Sequence, residues 1–250
     1  MNNLQLSLHI FPVYFNQDVT PQDSIVDMLI SSNQCGIEDN DVIVVSQKIV
    51  SKQEGRVINL ETVIPSELSI GIASAYDKDP KLVEVILTES KQIVRMEHGV
   101  IIVKTKHDFV CANAGVDQSN VDGNFVTLLP INPDSSAKVI QQEIRKKTGK
   151  RVAIIISDTF GRPFRLGQTD NAIGVAGIEP ILNYEGKPDT FGKILNVTAT
   201  AIVDELCSAA ELVMEKTKKC PMAIIKNYNY VSKDGKISTL IRSESDDLFK

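Results

Sequence analysis

The chain has 250 residues, 42% of them hydrophobic and 24% charged, enough for one large core or two modest ones and too apolar for a disordered protein. A formal net charge of −5 and a pI near 5.3 argue against nucleic acid as a partner, because a surface that tracks phosphates needs a basic balance. Cys35, Cys111, Cys207 and Cys220 show no CxxC or CxxH spacing, and no stretch reaches the roughly 18 apolar residues of a membrane span; the expectation is a cytoplasmic protein with reduced thiols and no membrane partner.

In chain order, an amphipathic helix is predicted at about Asp23–Ser32, followed by a β-branched strand, Val42–Val45. That strand runs into Ser46, Gln47 and Lys48, with Lys52 a helical turn further on. Two lysines and a hydroxyl at a strand end suit a polyphosphate, whose oxygens they neutralise; the bland alternative is a solvated turn with ordinary surface lysines. A helix over Pro80–Ile93 and strands at Val100–Lys104 and Phe109–Ala112 come next. The last of these gives way to small residues, Cys111 to Gly115, and then to Asp117, Ser119 and Asn120. Small side chains let a ligand approach the backbone and the oxygens suit Mg²⁺ or Mn²⁺, while the same residues also form Asx turns that close hairpins. His107, a lone histidine, has a weaker claim. The best-defined helix, Ser136–Thr148, has Ser135 or Ser136 as its cap, Val139, Ile140 and Ile144 on one face, and Lys146, Lys147 and Gly149 at its end.

The strand Val152–Ile156 opens into the most unusual stretch of the chain, IISDTFGRPFRLGQTDNAIG at 155–174. Read as a polar loop, it carries Asp158 and Thr159 where the strand emerges. Arg162 and Arg165 supply fork-shaped donors for phosphate or carboxylate, with Gly161 and Gly167 freeing the backbone around them. The competing reading is a surface loop with local Asp–Arg pairs. A strand at Ile194–Thr198, a helix over Ala199–Lys218 and a strand at Ala223–Ile225 complete the pass. Irregular alternation of strands and helices, with several possible hairpins, predicts an α+β class with mixed or antiparallel sheets and flanking helices. No linker or repeat marks a boundary, so residues 1–250 are expected to form a single domain, in two lobes at most.

There is no GxxxxGK[ST], GxGxxG, HExxH or GxSxG motif. Strand-end aspartates among lysines and arginines, without a Ser-His or Cys-His pair, suit phosphoryl transfer through metal ions and fixed cations better than covalent hydrolysis.

The segments FPV (11–13), SKQEGR (51–56), NAGVDQSNV (113–121), LLPINPDSSA (128–137), SDTFGRPFRLGQTDNAIG (157–174) and SESDDLF (243–249) resemble, in order and over nearly the whole chain, the coenzyme F420-0:L-glutamate ligase family. The resemblance implies a GTP-dependent amide ligase of coenzyme F420 biosynthesis. The free carboxylate of F420-0 is activated as an acyl phosphate and the amine of L-glutamate displaces the phosphate; some members add further glutamates through γ-linkages. It also implies an intertwined α+β homodimer that uses Mg²⁺ or Mn²⁺, with K⁺ helping some members. Carried over by position, Asp117 and Asp158 match metal-binding aspartates and Thr159 a neighbouring metal ligand. Gln47, Lys48, Lys52 and Asn120 match nucleotide-binding positions, and Arg162 and Arg165, in the DTxGRxxR block, join the two aspartates as catalytic candidates. One segment departs: residues 214–221 read MEKTKKCP, with Glu215 and Lys219 where the family's glycine-rich turn stands. That leaves Lys216 as a candidate phosphate ligand and Glu215 as a candidate shifted acidic ligand. Two other functions fit the same residues: a γ-glutamyl ligase for another acceptor such as a folate, and a nucleotide- or deazaflavin-binding protein that has lost catalysis.

Overall fold

The structure, a computed structural model, describes residues 7–119 and 123–247. In chain order its elements are β1 (His9–Val13), α1 (Ile25–Ser32), β2 (Val42–Ser46), α2 (Gln47–Gln53), β3 (Val57–Asn59), α3 (Glu67–Tyr76), α4 (Pro80–Thr88), β4 (Ser90–Glu97), β5 (Val100–Thr105), β6 (Val110–Ala112), β7 (Phe125–Thr127), α5 (Pro133–Thr148), β8 (Ala153–Arg162), β9 (Arg165–Ala176), β10 (Ile181–Asn183), β11 (Ala199–Ala201), α6 (Ile202–Met214) and β12 (Met222–Lys226). The class is α+β, as expected.

The main sheet has the order β1-β12-β2-β8-β9. Its inner strands are continuous apolar runs: Val42–Val45, Ala153–Ile156 and Met222–Ile225 are wholly buried, so both faces of the sheet are covered. Helix α5 packs on β8 and β9, and α6 on β1, β9 and β12. Among the described strand pairs only β2 and β8 are parallel. A three-stranded sheet, β4-β5-β6, packs with α3 and α4 around a second apolar cluster that includes Ile86, Ile101 and Val103.

Five expectations change. Helix α5 begins at Pro133, not Ser136; Asn132 is the cap, accepting the Ser135 N–H, and Pro133 takes the first helical position, where a missing N–H is harmless. The helix expected to reach Ile93 stops at Thr88, and the following residues pair with β5 instead. The helix expected over Ala199–Lys218 is a short strand followed by α6, which stops at Met214 because Glu215 (φ 49°) cannot continue it. Residues 194–198 form no regular strand, Ile194 making only an isolated bridge to Pro188. The polar loop is a β-hairpin: β8 runs on past Asp158 to Arg162, and β9 returns along it. Period-2 burial fades toward the exposed tip, which hides the pairing from an apolar count.

Helix α5 is held close to the sheet at one glycine. A Cβ on Gly174 would lie 2.4 Å from the Pro133 carbonyl carbon, and the Val175 N–H donates to Asp134 Oδ1 at 2.8 Å. The first turn of α5 therefore rests directly on the β9 backbone.

Candidate functional site

Strands β2 and β8 are parallel neighbours with Ser46 opposite Ser157. Their chain directions therefore bring Gln47-Lys48 and Asp158-Thr159 side by side at one edge of the sheet, the carboxyl end, where ligands of sheets with parallel strands bind. A cavity of about 1040 Å³ opens there. Its walls include Lys48, Lys52, Asn113, Asp117, Asp158, Thr159, Asp170 and Lys216, together with the strap Phe15–Val19.

Asp117 is delivered by a tight left-handed turn. Asn113, Ala114 and Gly115 have φ of 53°, 57° and 70°, and a Cβ on Gly115 would stand 2.8 Å from the Leu129 side chain. Such backbone costs of order 1 kcal/mol per non-glycine residue and persists where surrounding packing enforces it. Asp117 then makes both structures foreseen for it. Its carboxylate closes an Asx turn, accepting the Ser119 N–H at 2.6 Å, and it faces the cavity, where Lys48 Nζ lies 2.8 Å away. Burial pushes the Asp117 carboxyl up, but the Lys48 ammonium and the Ser119 N–H outweigh it and hold the group below its ordinary value.

Asp158 also lines the cavity, and among the described residues no ammonium group pairs with it. Burial, reinforced by the negative charges of Asp170 and Asp117, pushes its carboxyl up to about 7, against the Thr159 N–H and Lys48. Across the hairpin Thr159 pairs with Asp170, and its hydroxyl donates to Asp170 Oδ1 at 2.7 Å. Lys216 reaches in from the end of α6, donating to Asp170 Oδ1 at 2.7 Å and to Thr159 Oγ1 at 2.8 Å.

The other candidates divide. Gln47 is buried and its amide nitrogen donates to Ser51 Oγ and the Leu128 carbonyl, so its donors brace α2 although the residue lines the cavity. Lys52 is no solvated surface lysine. It is 6% exposed and donates to both oxygens of Asp18, at 2.7 and 2.6 Å. Lys52→Ala is therefore expected to lower the thermal midpoint by a few degrees; a scanning calorimeter showing no shift would contradict a structural role for this enclosed lysine. Arg162 and Arg165 are at the hairpin tip, outside the cavity wall, and Arg162 donates to the backbone carbonyls of Leu166 and Gly167. Asn120 lies outside the described residues. His107 contacts the Pro130 and Ile131 carbonyls through Nε2, away from the cavity wall.

Glu215 and Lys219 line the cavity with φ of 49° and 52°, so the segment adopts a glycine-type backbone without glycines. Glu215, at ψ 179°, is in a region that glycine alone adopts easily. Glu215→Gly is expected to raise stability by about 1 kcal/mol, the relief of strain exceeding the entropic cost of glycine; a lowered thermal midpoint would count against that strain.

Among the described residues no three His, Cys, Asp or Glu side chains converge as a ready-made metal cage. The donor set still suits Mg²⁺ or Mn²⁺, which take one or two carboxylates and complete their shell with water and phosphate. Burial and the charges of Asp170 and Asp117 disfavour the Asp158 carboxylate, a penalty that a divalent cation beside it would relieve. Asn113 Oδ1, also buried at this wall, has no hydrogen-bond partner among the described residues.

Asp18 and Asp170 also line the cavity and were not among the expected site residues. Asp18 lies in an irregular strap without a motif. Asp170 had a signal: taken as a hairpin turning at Arg162–Arg165, the stretch puts a residue near 170 opposite Thr159.

A profile described as F420-0:Gamma-glutamyl ligase matches residues 16–227. The chain is 44% identical over 234 residues to the coenzyme F420:L-glutamate ligase of Methanothermobacter thermautotrophicus, covering 91% of this chain and 93% of that protein. It is 48% identical over 218 residues to the protein of the same name in Methanocaldococcus jannaschii, covering 87% of each. With that of Methanopyrus kandleri it shares 37% identity over 249 residues, 98% of each chain. With the profile spanning most of the chain and these identities running nearly end to end, the protein belongs to the F420-0:gamma-glutamyl ligase family.

Proposed function

We propose that the cavity performs a GTP-dependent ligation of L-glutamate to coenzyme F420-0. One observation carries the reading: in a chain of this family, five carboxylates and four ammonium groups line a single cavity beside two adjacent parallel strands. A space of about 1040 Å³ is at the upper end of the usual range for ligand sites and accommodates a nucleotide beside part of an acceptor. The altered segment 214–221 does not favour a lapsed enzyme, because its backbone keeps a glycine-type path and Lys216 points into the site.

In this reading an acceptor carboxylate oxygen attacks the γ-phosphorus of GTP, the bond to the β,γ-bridging oxygen breaks, and GDP leaves. The glutamate amine then attacks the acyl carbon, loses a proton, and inorganic phosphate departs with its electron pair. A bound Mg²⁺ or Mn²⁺, with K⁺ as a helper, would supply charge neutralisation for the phosphates. Asp117, Asp158 and Thr159 would hold the divalent ion. Lys48, Lys52 and Lys216 line the cavity, where their ammonium groups would screen phosphate oxygens. The four free cysteines suit a reducing cytoplasm, and among the described residues no helix is long and apolar enough to cross a membrane.

Pure protein is incubated with GTP, Mn²⁺, L-glutamate and either F420-0 or a folate, and masses are read. A gain of one glutamyl unit on F420-0 supports the reading, a gain on the folate alone replaces it with a folate ligase, and nucleotide binding without any gain replaces it with a binding protein.

A homodimer is part of the same proposal. Phe164 and Leu166 at the hairpin tip are 90% and 97% exposed, and Phe191 is 95% exposed, apolar side chains that a second copy would cover. Light scattering is expected to give twice the 27.5 kDa chain mass at micromolar concentration; the monomer mass would refute the dimer.

A further inference from the structure

Asp170 has no role in the ligation outlined above, yet it is one of the most constrained polar side chains of the cavity. It is 5% exposed, on β9 directly opposite Thr159. Oδ1 accepts the Thr159 hydroxyl at 2.7 Å and the Lys216 ammonium at 2.7 Å, Oδ2 accepts the Ser157 hydroxyl at 3.4 Å, and the Asp170 carbonyl accepts the Ser208 hydroxyl at 3.1 Å. A threonine hydroxyl has a single proton. Spent on Asp170, it leaves Thr159 with lone pairs only, and the Lys216 ammonium marks their direction by donating to Thr159 Oγ1 at 2.8 Å.

We propose that Asp170 is a positioning residue of the cation cradle: by taking the Thr159 proton and tethering Lys216, it presents the Thr159 oxygen to the cavity as an acceptor with an ammonium group held beside it. The inference rests on the reading of Asp158 and Thr159 as cation ligands. Asp170 acts through Thr159 and not as a ligand itself, because Oδ1 already serves two donors and the side chain is almost wholly enclosed. An outer carboxylate that accepts a ligand's proton fixes that ligand's orientation and raises its basicity, and losing such a partner typically costs 10–100-fold in metal affinity. Lys216 fits the same logic as a movable counter-ion. With a cation held at the Thr159 oxygen, the ammonium, half exposed and 3.5 Å from Glu211, would serve phosphate oxygens instead.

The test uses the full chain and Mn²⁺ alone, free Mn²⁺ being read by electron paramagnetic resonance without nucleotide or acceptor. Asp170→Asn, whose amide can turn a donor toward Thr159, is expected to weaken Mn²⁺ binding about 10-fold or more. In a Thr159→Val background the same change should add less than about 2-fold, since no hydroxyl remains to be oriented. Should the asparagine variant not fold, Asp170→Ala carries the same comparison. Unchanged Mn²⁺ affinity overturns the proposal. So does a full, additive loss in the Thr159→Val background, which would make Asp170 a direct ligand, or a lowered thermal midpoint without loss of Mn²⁺ affinity, which would make it a brace. Wild-type protein that binds no Mn²⁺ also overturns it, while glutamyl transfer in the mass assay separately decides the ligase reading.

Discussion

Asp158→Asn is expected to abolish glutamyl transfer, by on the order of 10³-fold, in a protein that remains folded. In the proposed reaction, several kcal/mol of charge stabilisation at the phosphoryl group would depend on Asp158 as a cation ligand, which asparagine replaces with a neutral amide of the same size. The fold should not suffer, and the sign of the pH effect says why. In the folded, metal-free chain, burial raises the Asp158 carboxyl from 3.8 to about 7, so between these values the folded state keeps a proton that the unfolded state gives up. The group's penalty on stability therefore grows as pH rises through that window and is complete above about 7. Asparagine carries no such penalty. The variant should melt higher than wild type in metal-free buffer at about pH 8, and the advantage should vanish near the unfolded pKa of about 4. A variant with near-normal turnover, or one that melts lower than wild type at the higher pH, would contradict this account of Asp158.

Gly174→Ala is expected to be the most damaging single methyl group in the sheet. The added carbon would meet the carbonyl carbon, oxygen and Cβ of Pro133 at 2.4, 2.5 and 2.6 Å, and two of these are backbone atoms that no rotamer change can move. Either the first turn of α5 lifts from β9, breaking the Val175 N–H bond to Asp134, or the strand bends away. Overpacking of this kind costs on the order of 3 kcal/mol. Denaturant melts should show the midpoint falling with little change in slope; a loss under about 0.5 kcal/mol would mean that α5 sits further from the sheet than described.

Much of this arrangement was legible in the residues, and the failures have physical causes. The buried inner strands showed because Val42–Val45 and Ile154–Ile156 are apolar at every position, as strands covered on both faces must be. Asp117, Asp158 and Thr159 were found through the motifs that carry them, and all three do face one cavity. Lys52 could pass for a surface lysine because its ion-pair partner, Asp18, lies in an irregular strap with no periodicity to announce it. Asp170 went unassigned because its importance lies in a cross-strand pair, and a hairpin whose tip is polar and exposed offers no alternation from which to read register. Arg162 and Arg165 looked like ligands for an anion by residue type alone, whereas the turn they flank carries them away from the cavity wall.

In the proposed mechanism Asp117 and Asp158, carried on separate segments, serve one cation beside the nucleotide phosphates. Anomalous diffraction from crystals grown with Mn²⁺ and a non-hydrolysable GTP analogue tests it most directly. A peak is expected in the cavity within about 2.0–2.5 Å of an oxygen from each carboxylate and of a phosphate oxygen. A nucleotide bound with its Mn²⁺ elsewhere, or a peak that touches neither aspartate, would contradict it.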